Sequence, residues 1–177
     1  MTKQGSVTYD PGRDQYAVAG SGANMWFDRD DFQFVWKRIQ GNFILTTRAG
    51  FNGPGVDPHR KFGWSVRSGL ESGSPHVTAA VHGDGLVALQ FRRSAGGATE
   101  EIRSPVRGAD VVQLERVGDT YVLSVGRFGD SLAPVRITDL ALGNEVYVGL
   151  FVCAHNDTVV ERATFRDVRI TAPARDG

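Results

Sequence analysis

Cysteine, lysine and long apolar stretches are scarce in this chain of 177 residues. The single cysteine, Cys153, excludes an internal disulfide and a metal cluster built from cysteines. No apolar run approaches the length that crosses a bilayer, and the residues after Met1 are too polar for a secretory signal. These absences predict a soluble, cytoplasmic protein without a membrane partner.

Excess charge of either sign is also missing. The 20 basic residues, Lys plus Arg, are matched by 20 acidic ones, so the formal net charge is zero. Such a chain has no global field that would recruit nucleic acid, and we expect no nucleic-acid partner. Arginine supplies 17 of the basic residues and lysine only three. The planar guanidinium group suits carboxylates, phosphates and sugar diols.

Glycine is plentiful, and the 22 glycines fall between short apolar runs, as in an all-β domain with tight turns. Residues 28–31 are compatible with one short helix. No repeat or domain boundary interrupts the pattern, so we expect one domain over 1–172 and a tail at 173–177. The predicted strands lie near 5–9, 15–19, 32–39, 43–49, 62–68, 77–82, 86–93, 99–103, 111–117, 120–127, 134–138, 146–155 and 160–171.

Alternation of apolar and polar residues assigns the faces of these strands. In VALQFR at 87–92, the apolar set points one way and the set that contains Gln90 and Arg92 the other. So many inward sets predict two packed antiparallel sheets, a β-sandwich of the jelly-roll type. The residues predicted to face the core are Phe32, Phe34, Trp36, Phe43, Leu45, Trp64, Val66, Val77, Ala79, Val81, Val87, Leu89, Phe91, Val112, Leu114, Tyr121, Leu123, Val125, Val148, Leu150 and Val152.

The opposite sides of the strands carry small residues among arginine, histidine and glutamine. Small residues keep a sheet face low, and the long polar ones can reach hydroxyl groups of a ligand that lies on it. We therefore predict an open sheet face that binds an extended, hydroxylated ligand. The predicted ligand-binding residues are Arg48, Arg67, His82, Gln90, Arg92 and His155.

Seven segments resemble a known family: GANMWF at 22–27, FVWK at 34–37, PHRK at 58–61, HGDG at 82–85, LQFRR at 89–93, QLER at 113–116 and VYVGLFVCAHN at 146–156. Together they resemble the concanavalin A-like lectin/glucanase jelly rolls of the domain-of-unknown-function 1349 type, as attached to Tol-B-like propeller proteins. The resemblance spans roughly 15–170 and implies a concanavalin A-like β-sandwich. The wider superfamily contains lectins, carbohydrate-binding modules, glycosidases and lyases, so the resemblance implies carbohydrate chemistry without selecting an activity.

Three functions remain open. The first is recognition of a carbohydrate or a glycosylated small molecule on the concave sheet face. The second is a hydrolase, lyase or isomerase, with or without a metal, that uses His82 or His155 as the base. The third is a protein-interaction domain. The paired-carboxylate strand E-x-D-x-E of related glucanases is absent, which argues against ordinary glycoside hydrolysis.

Other candidates are weaker. Trp26 is the one tryptophan that we expect outside the core, where it could stack on a sugar. The basic run at 58–61 could form a lid, although a solvated loop is the preferred interpretation. The resemblance implies that Asp28 or Asp167 could bind a structural Ca²⁺, but no EF-hand spacing is present and we expect no other cofactor. The sequence does not define an oligomeric state.

Overall fold

Two antiparallel sheets pack face to face in a computed structural model, which describes residues 2–173. The seven-stranded sheet has the order β1-β2-β13-β4-β9-β10-β11, and the six-stranded sheet has the order β3-β12-β5-β6-β7-β8. The predicted all-β sandwich is confirmed, whereas the predicted tail beyond Pro173 lies outside the described residues. The strands, numbered β1 to β13 in chain order, are Ser6–Asp10, Gln15–Gly20, Gln33–Gln40, Phe43–Phe51, Lys61–Arg67, His76–His82, Leu86–Arg92, Glu100–Arg107, Val111–Val117, Thr120–Gly126, Ala133–Ile137, Glu145–Cys153 and Glu161–Thr171.

The hydrophobic core lies between the sheets and is built by the alternation seen in the sequence. Each fully buried aliphatic side chain contributes about 1.5–3 kcal/mol relative to an exposed one. The prediction of core residues is confirmed for Phe43, Leu45, Trp64, Val66, Val77, Ala79, Val81, Val87, Leu89, Phe91, Val112, Leu114, Tyr121, Leu123, Val125, Val148, Leu150 and Val152, all of which are buried in this core.

Within residues 2–173, no helix is long and apolar enough to cross a bilayer.

Strand β3 is an exception, because its predicted inward and outward sides are exchanged. Phe34 and Trp36 stand opposite Phe151 and Gly149 of β12, on the face away from the core. Val35 instead packs against the core. Trp36 is 44% exposed, so its assignment to the core is wrong. The strand lies at a sheet edge, where the aromatic rings pack on one another and on β12 outside the sandwich.

The outer face of the six-stranded sheet is not open along its whole length, since residues 21–32 lie across it. We call these residues the cover segment. Met25 is fully buried there against Ala80, Phe151 and Cys153. No helix forms at 28–31; an isolated β-bridge joins Met25 to Asp30 instead. The prediction of an open face is therefore wrong where the cover segment packs.

The second residue of the cover segment is a glycine that the backbone requires. Gly22 has a φ of 116°, a conformation that side chains disfavour, and a Cβ there would collide with the carbonyl of Asp31. Its own carbonyl accepts a hydrogen bond from the amide of Asn156 at 2.8 Å. The chain can therefore turn from β2 onto the outer face of the other sheet.

Candidate functional site

A buried ion cluster occupies one end of the outer face. Arg92 holds Asp30 with two hydrogen bonds, of 2.8 and 3.0 Å, and Arg67 donates a third at 2.7 Å. Arg67 is 1% exposed and Arg92 is fully buried. His76 stands between the two arginines in the sheet register, with its Nε2 3.8 Å from the carboxylate. We call these four residues the Asp30 cluster.

The electrostatics of this cluster are those of a structural site. Burial raises the pKa of Asp30, but the hydrogen bond from Arg92 and the charge of Arg67 more than reverse this, so the net pKa lies below the usual value. Burial lowers the pKa of His76 to about 3, so its imidazole is neutral near pH 7. Two arginines face one carboxylate, and Arg92 also donates to the carbonyls of Phe27 and Gly97.

The sequence predicted that Arg67 and Arg92 lie on an open sheet face. The structure shows that they do not. The cover segment places Asp30 directly on them, and the donors of both arginines are directed at protein oxygens. Any contact between these arginines and a ligand stays a prediction.

Arg48 lies on the other sheet. It belongs to β4, and its side chain stands on the outer face of the seven-stranded sheet, where it pairs with Asp110 at 3.7 Å and covers the ring of Phe128. The prediction that Arg48 shares a face with the other candidates is wrong. Alternation shows that a residue points away from the core, but not from which of the two sheets.

A pocket of about 330 Å³ opens at the other end of the six-stranded sheet's outer face. It brings together three of the predicted site residues, namely His82, Gln90 and His155. Strands β5 to β8 form its floor, and the cover segment and the loop at 57–60 form its walls. We call it the outer pocket. Its lining residues are Asn24, Trp26, His59, Lys61, His82, Leu86, Gln90, Glu101, Arg103 and His155.

His82 offers a hydrogen-bond acceptor to this pocket. Its Nδ1 lies 2.9 Å from the carbonyl oxygen of Leu86. A carbonyl can only accept, so Nδ1 carries the hydrogen and Nε2 keeps a free lone pair. Burial, followed by the nearby charge of Lys61, lowers the pKa of His82 to about 4. The imidazole is therefore neutral near pH 7.

Gln90 brings a second acceptor. It is 2% exposed, and its amide nitrogen donates to Glu101 at 3.2 Å, whereas its buried Oε1 has no partner within residues 2–173. Leaving such a group unsatisfied costs about 1–3 kcal/mol. Glu101 also accepts from Arg103 at 2.7 Å. Burial raises the pKa of Glu101, but the hydrogen bonds from Arg103 and Gln90 outweigh this and lower it below the usual value.

Lys61 supplies the positive charge of the floor. It is 3% exposed, its ammonium group donates to Oδ1 of Asn24 at 3.2 Å, and burial lowers its pKa. Opposite it on β12, burial raises the pKa of Cys153 to about 11, which leaves the thiol protonated. The preferred interpretation of 58–61 as a solvated loop is wrong for Lys61 and for its neighbour Arg60, which is buried against Glu161 at 2.9 Å.

Two further histidines form the rim. His155 adopts a left-handed backbone with φ of 58°, and its Nδ1 lies 3.1 Å from a carboxylate oxygen of Asp57. The backbone amide of His59 donates to the other oxygen of Asp57 at 2.7 Å. The centroids of the imidazole rings of His59 and His155 lie 5.3 Å apart. Non-glycine residues are rarely left-handed, and such strain is frequent at binding and catalytic sites.

No family model and no curated protein matches this chain, but solved structures do. A functionally unknown protein from Saccharomyces cerevisiae superposes with a TM-score of 0.72 at 16% identity, over 98% of this chain and 95% of that one. The carbohydrate-binding module CBM66 from Bacillus subtilis gives 0.60 at 16% identity, over 96% and 92% of the two chains. Lectin UEA-II of Ulex europaeus, complexed with galactose, gives 0.60 at 10% identity, over 95% and 90%.

The fold is an antiparallel two-sheet β-sandwich of the jelly-roll type. At these identities the likeness shows the fold alone. Because no family model matches, membership of the domain-of-unknown-function 1349 type and the link to Tol-B-like propellers stay predictions.

Across the described part of the chain, no three side chains of His, Cys, Asp or Glu converge in a way that could hold a metal ion. Asp28 is exposed in the cover segment, and Asp167 is exposed at an irregularity of β13. Neither forms the oxygen cage that Ca²⁺ prefers, and a calcium site stays a prediction.

Several pocket residues were not predicted as ligand contacts, although the sequence held a signal for some. Lys61 shares the outward parity of Arg67 on β5, two positions before Gly63. Glu101 stands opposite Gln90 in the register of β7 and β8, so correct pairing of those strands would have found it. Asn24 carried no such signal, because it belongs to the irregular cover segment.

Proposed function

We propose that the outer pocket binds a carbohydrate or a glycosylated small molecule. The observation that carries the proposal is the mixed set of polar groups in this walled pocket, namely the Nε2 acceptor of His82, the ammonium donors of Lys61 and the side chain of Gln90, whose Oε1 has no partner within residues 2–173. A hydroxyl group both donates and accepts, so a polyhydroxylated ring can satisfy such a mixed set. Partly exposed Trp26 adds an apolar surface to the same pocket.

The volume of the pocket limits the size of the ligand that it can hold. About 330 Å³ is at the small end of the range for small-molecule sites, roughly 300–1,000 Å³. A terminal sugar or a short glycoside therefore fits better than a long stretch of polysaccharide. The fold shared with a carbohydrate-binding module and a galactose-complexed lectin supports this class of ligand, although it does not select a sugar.

Gln90→Leu tests the proposal directly, because leucine fills a similar volume without the unpaired carbonyl. We expect at least tenfold weaker binding of the best saccharide from a glycan panel, measured by titration calorimetry. The matched control is Gln113→Leu on the outer face of the seven-stranded sheet, which should bind as the unmodified protein does. Equal affinity in Gln90→Leu, or equal losses in both variants, would refute the pocket assignment.

An enzymatic role is the second candidate, and the neutral His82 favours it. Its unprotonated Nε2 lines the pocket and could accept a proton from a bound substrate. If His82 only binds sugar, His82→Gln should stay within about tenfold in affinity, about 1.4 kcal/mol. If it is a base, the same variant should keep binding and lose about 10²–10⁴ in turnover. Mass spectrometry of glycosides and keto-sugars incubated with both proteins separates the two roles.

A further inference from the structure

The buried cations of the six-stranded sheet and its loops differ in how they are neutralised. Arg60, Arg67 and Arg92 each contact a carboxylate oxygen at 2.7–2.9 Å. Lys61 is just as buried, but its three ammonium hydrogens meet a single amide oxygen, that of Asn24. No salt bridge to Lys61 exists among the described residues. A buried charge without a counterion costs free energy, so its position demands an explanation.

The outer pocket forms no ion pair with Lys61 among the described residues, although the charge of Glu101 offsets part of the lowering of the Lys61 pKa by burial. Glu101 is the only carboxylate among its lining residues, and it is already held by Arg103 at 2.7 Å and by Gln90 at 3.2 Å. Asn24 accepts from both Lys61 and the backbone amide of Met25, which fixes its carbonyl oxygen. Its amide nitrogen therefore points elsewhere, with both hydrogens available. The ammonium of Lys61 and the amide nitrogen of Asn24 form an adjacent set of donors, and within residues 2–173 only the hydrogen bond from Lys61 to Oδ1 of Asn24 uses any of them.

We infer that the saccharide of the outer pocket carries an acidic group, a carboxylate or a sulfate, that pairs with Lys61. The inference rests on the proposed function and names the class of its ligand. The acceptors on the same floor, Gln90 Oε1 and His82 Nε2, cannot bind an anion and require hydroxyl hydrogens. A sugar ring with one acidic substituent satisfies both halves of the site, with the acidic group on Lys61 and Asn24 and the hydroxyls on Gln90 and His82.

Matched pairs of sugars test the inference on the unmodified protein. Ligand-observed NMR and calorimetry would compare D-glucuronate with D-glucose, and D-galacturonate and galactose 6-sulfate with D-galactose. We expect at least a tenfold preference for an acidic member, about 1.4 kcal/mol. The uronate and sulfate arms distinguish the two acidic groups. Equal or tighter binding of the neutral sugars overturns the inference and leaves the proposed function standing, whereas no binding of any saccharide refutes both.

Lys61→Met then assigns the preference to one side chain. The apolar stem remains, and we expect the acidic and neutral sugars to bind within about twofold of each other. The melting temperature should hold or rise, because an unpaired buried charge is removed. Lys37→Met, at an exposed lysine of β3, is the control and should retain the preference. A preference that survives Lys61→Met contradicts the assignment. Should that variant not fold, Asn24→Ala in the cover segment is expected to weaken the same preference.

Discussion

The two ends of the outer face are built from the same strands and the same kinds of side chain, yet they differ in how their buried charges are neutralised. Strand β5 begins with Lys61 at the outer pocket and ends with Arg67 at the Asp30 cluster. Strand β6 runs the opposite way, from His76 at the Asp30 cluster to His82 at the outer pocket. Only one end receives a carboxylate from the cover segment. The basic residues Arg67 and Arg92 are part of the framework because the chain supplies their counterion, whereas Lys61 has no ion pair within residues 2–173.

The largest effect is expected from Asp30→Ala, which would make the two ends alike. Removing the carboxylate leaves Arg67 and Arg92 buried without a counterion, and breaking such a pair costs about 3–5 kcal/mol. Urea denaturation measures the loss. Asp28→Ala, at an exposed position of the same segment, should stay within about 0.5 kcal/mol and serves as the control. A small effect of Asp30→Ala would mean that the cluster does not hold the cover segment.

Mild acid should destabilise both ends through their histidines. The folded pKa values of His76, about 3, and His82, about 4, lie below the ordinary value of 6.5. The unfolded chain therefore binds more protons below pH 6.5, and stability that is complete above that pH falls as the pH decreases. We expect a loss of about 2 kcal/mol between pH 6.5 and 5.5, half from each histidine.

Denaturation midpoints of His76→Gln and His82→Gln over that pH range check the division. Each variant should show about half of the pH dependence of the unmodified protein. An unchanged dependence in either variant would show that its histidine is not held neutral in the fold.

A smaller effect, confined to binding, is expected from Trp26→Ala. The indole lines the outer pocket, so saccharide affinity should fall about tenfold, about 1.4 kcal/mol. Stability should change by less than about 1 kcal/mol, because the side chain is partly exposed. Phe27→Ala is the matched control, since Phe27 is 68% exposed and does not line the pocket. Equal losses of affinity in both variants would exclude a specific role for the indole.

The smallest effect is expected from Arg48→Ala on the opposite sheet. The side chain is 35% exposed, and its ion pair with Asp110 is long at 3.7 Å. Exposed pairs of this kind contribute about 0–1 kcal/mol. Saccharide affinity should remain unchanged by calorimetry. A loss of binding would place the ligand on the seven-stranded sheet and refute the outer pocket as the site.

Much of the fold could be predicted from the sequence, because period-two alternation is a local property. Leu89, Leu114 and Leu123 were assigned to the core from their neighbours alone, and they are fully buried. The prediction for strand β3 was wrong because its aromatic residues pack on the outer face of the sheet, at the sheet edge. Apolarity identifies residues that are covered, but it does not identify what covers them.

The candidate site could be predicted only in part for a related reason. His82 and Gln90 were found because their parity places them on the outer face. Whether Arg92 is open to a ligand or paired within the protein depends on Asp30, which is 62 positions away in the chain and belongs to an irregular segment. No periodicity reports such a contact, so the same pattern predicted a ligand contact at Gln90 and at Arg92 alike.

The way in which the cover segment is attached has a consequence for protein engineering. Met25 and Asp30 fasten it to the sheet and act as its anchors. Trp26, which lies between these two anchors in the chain, and Asn24, which precedes Met25, both line the outer pocket. The anchors and the strands can be kept while positions 24 and 26 are randomised. A library restricted to those two positions should yield folded proteins with altered sugar selectivity, on a scaffold whose stability is set elsewhere.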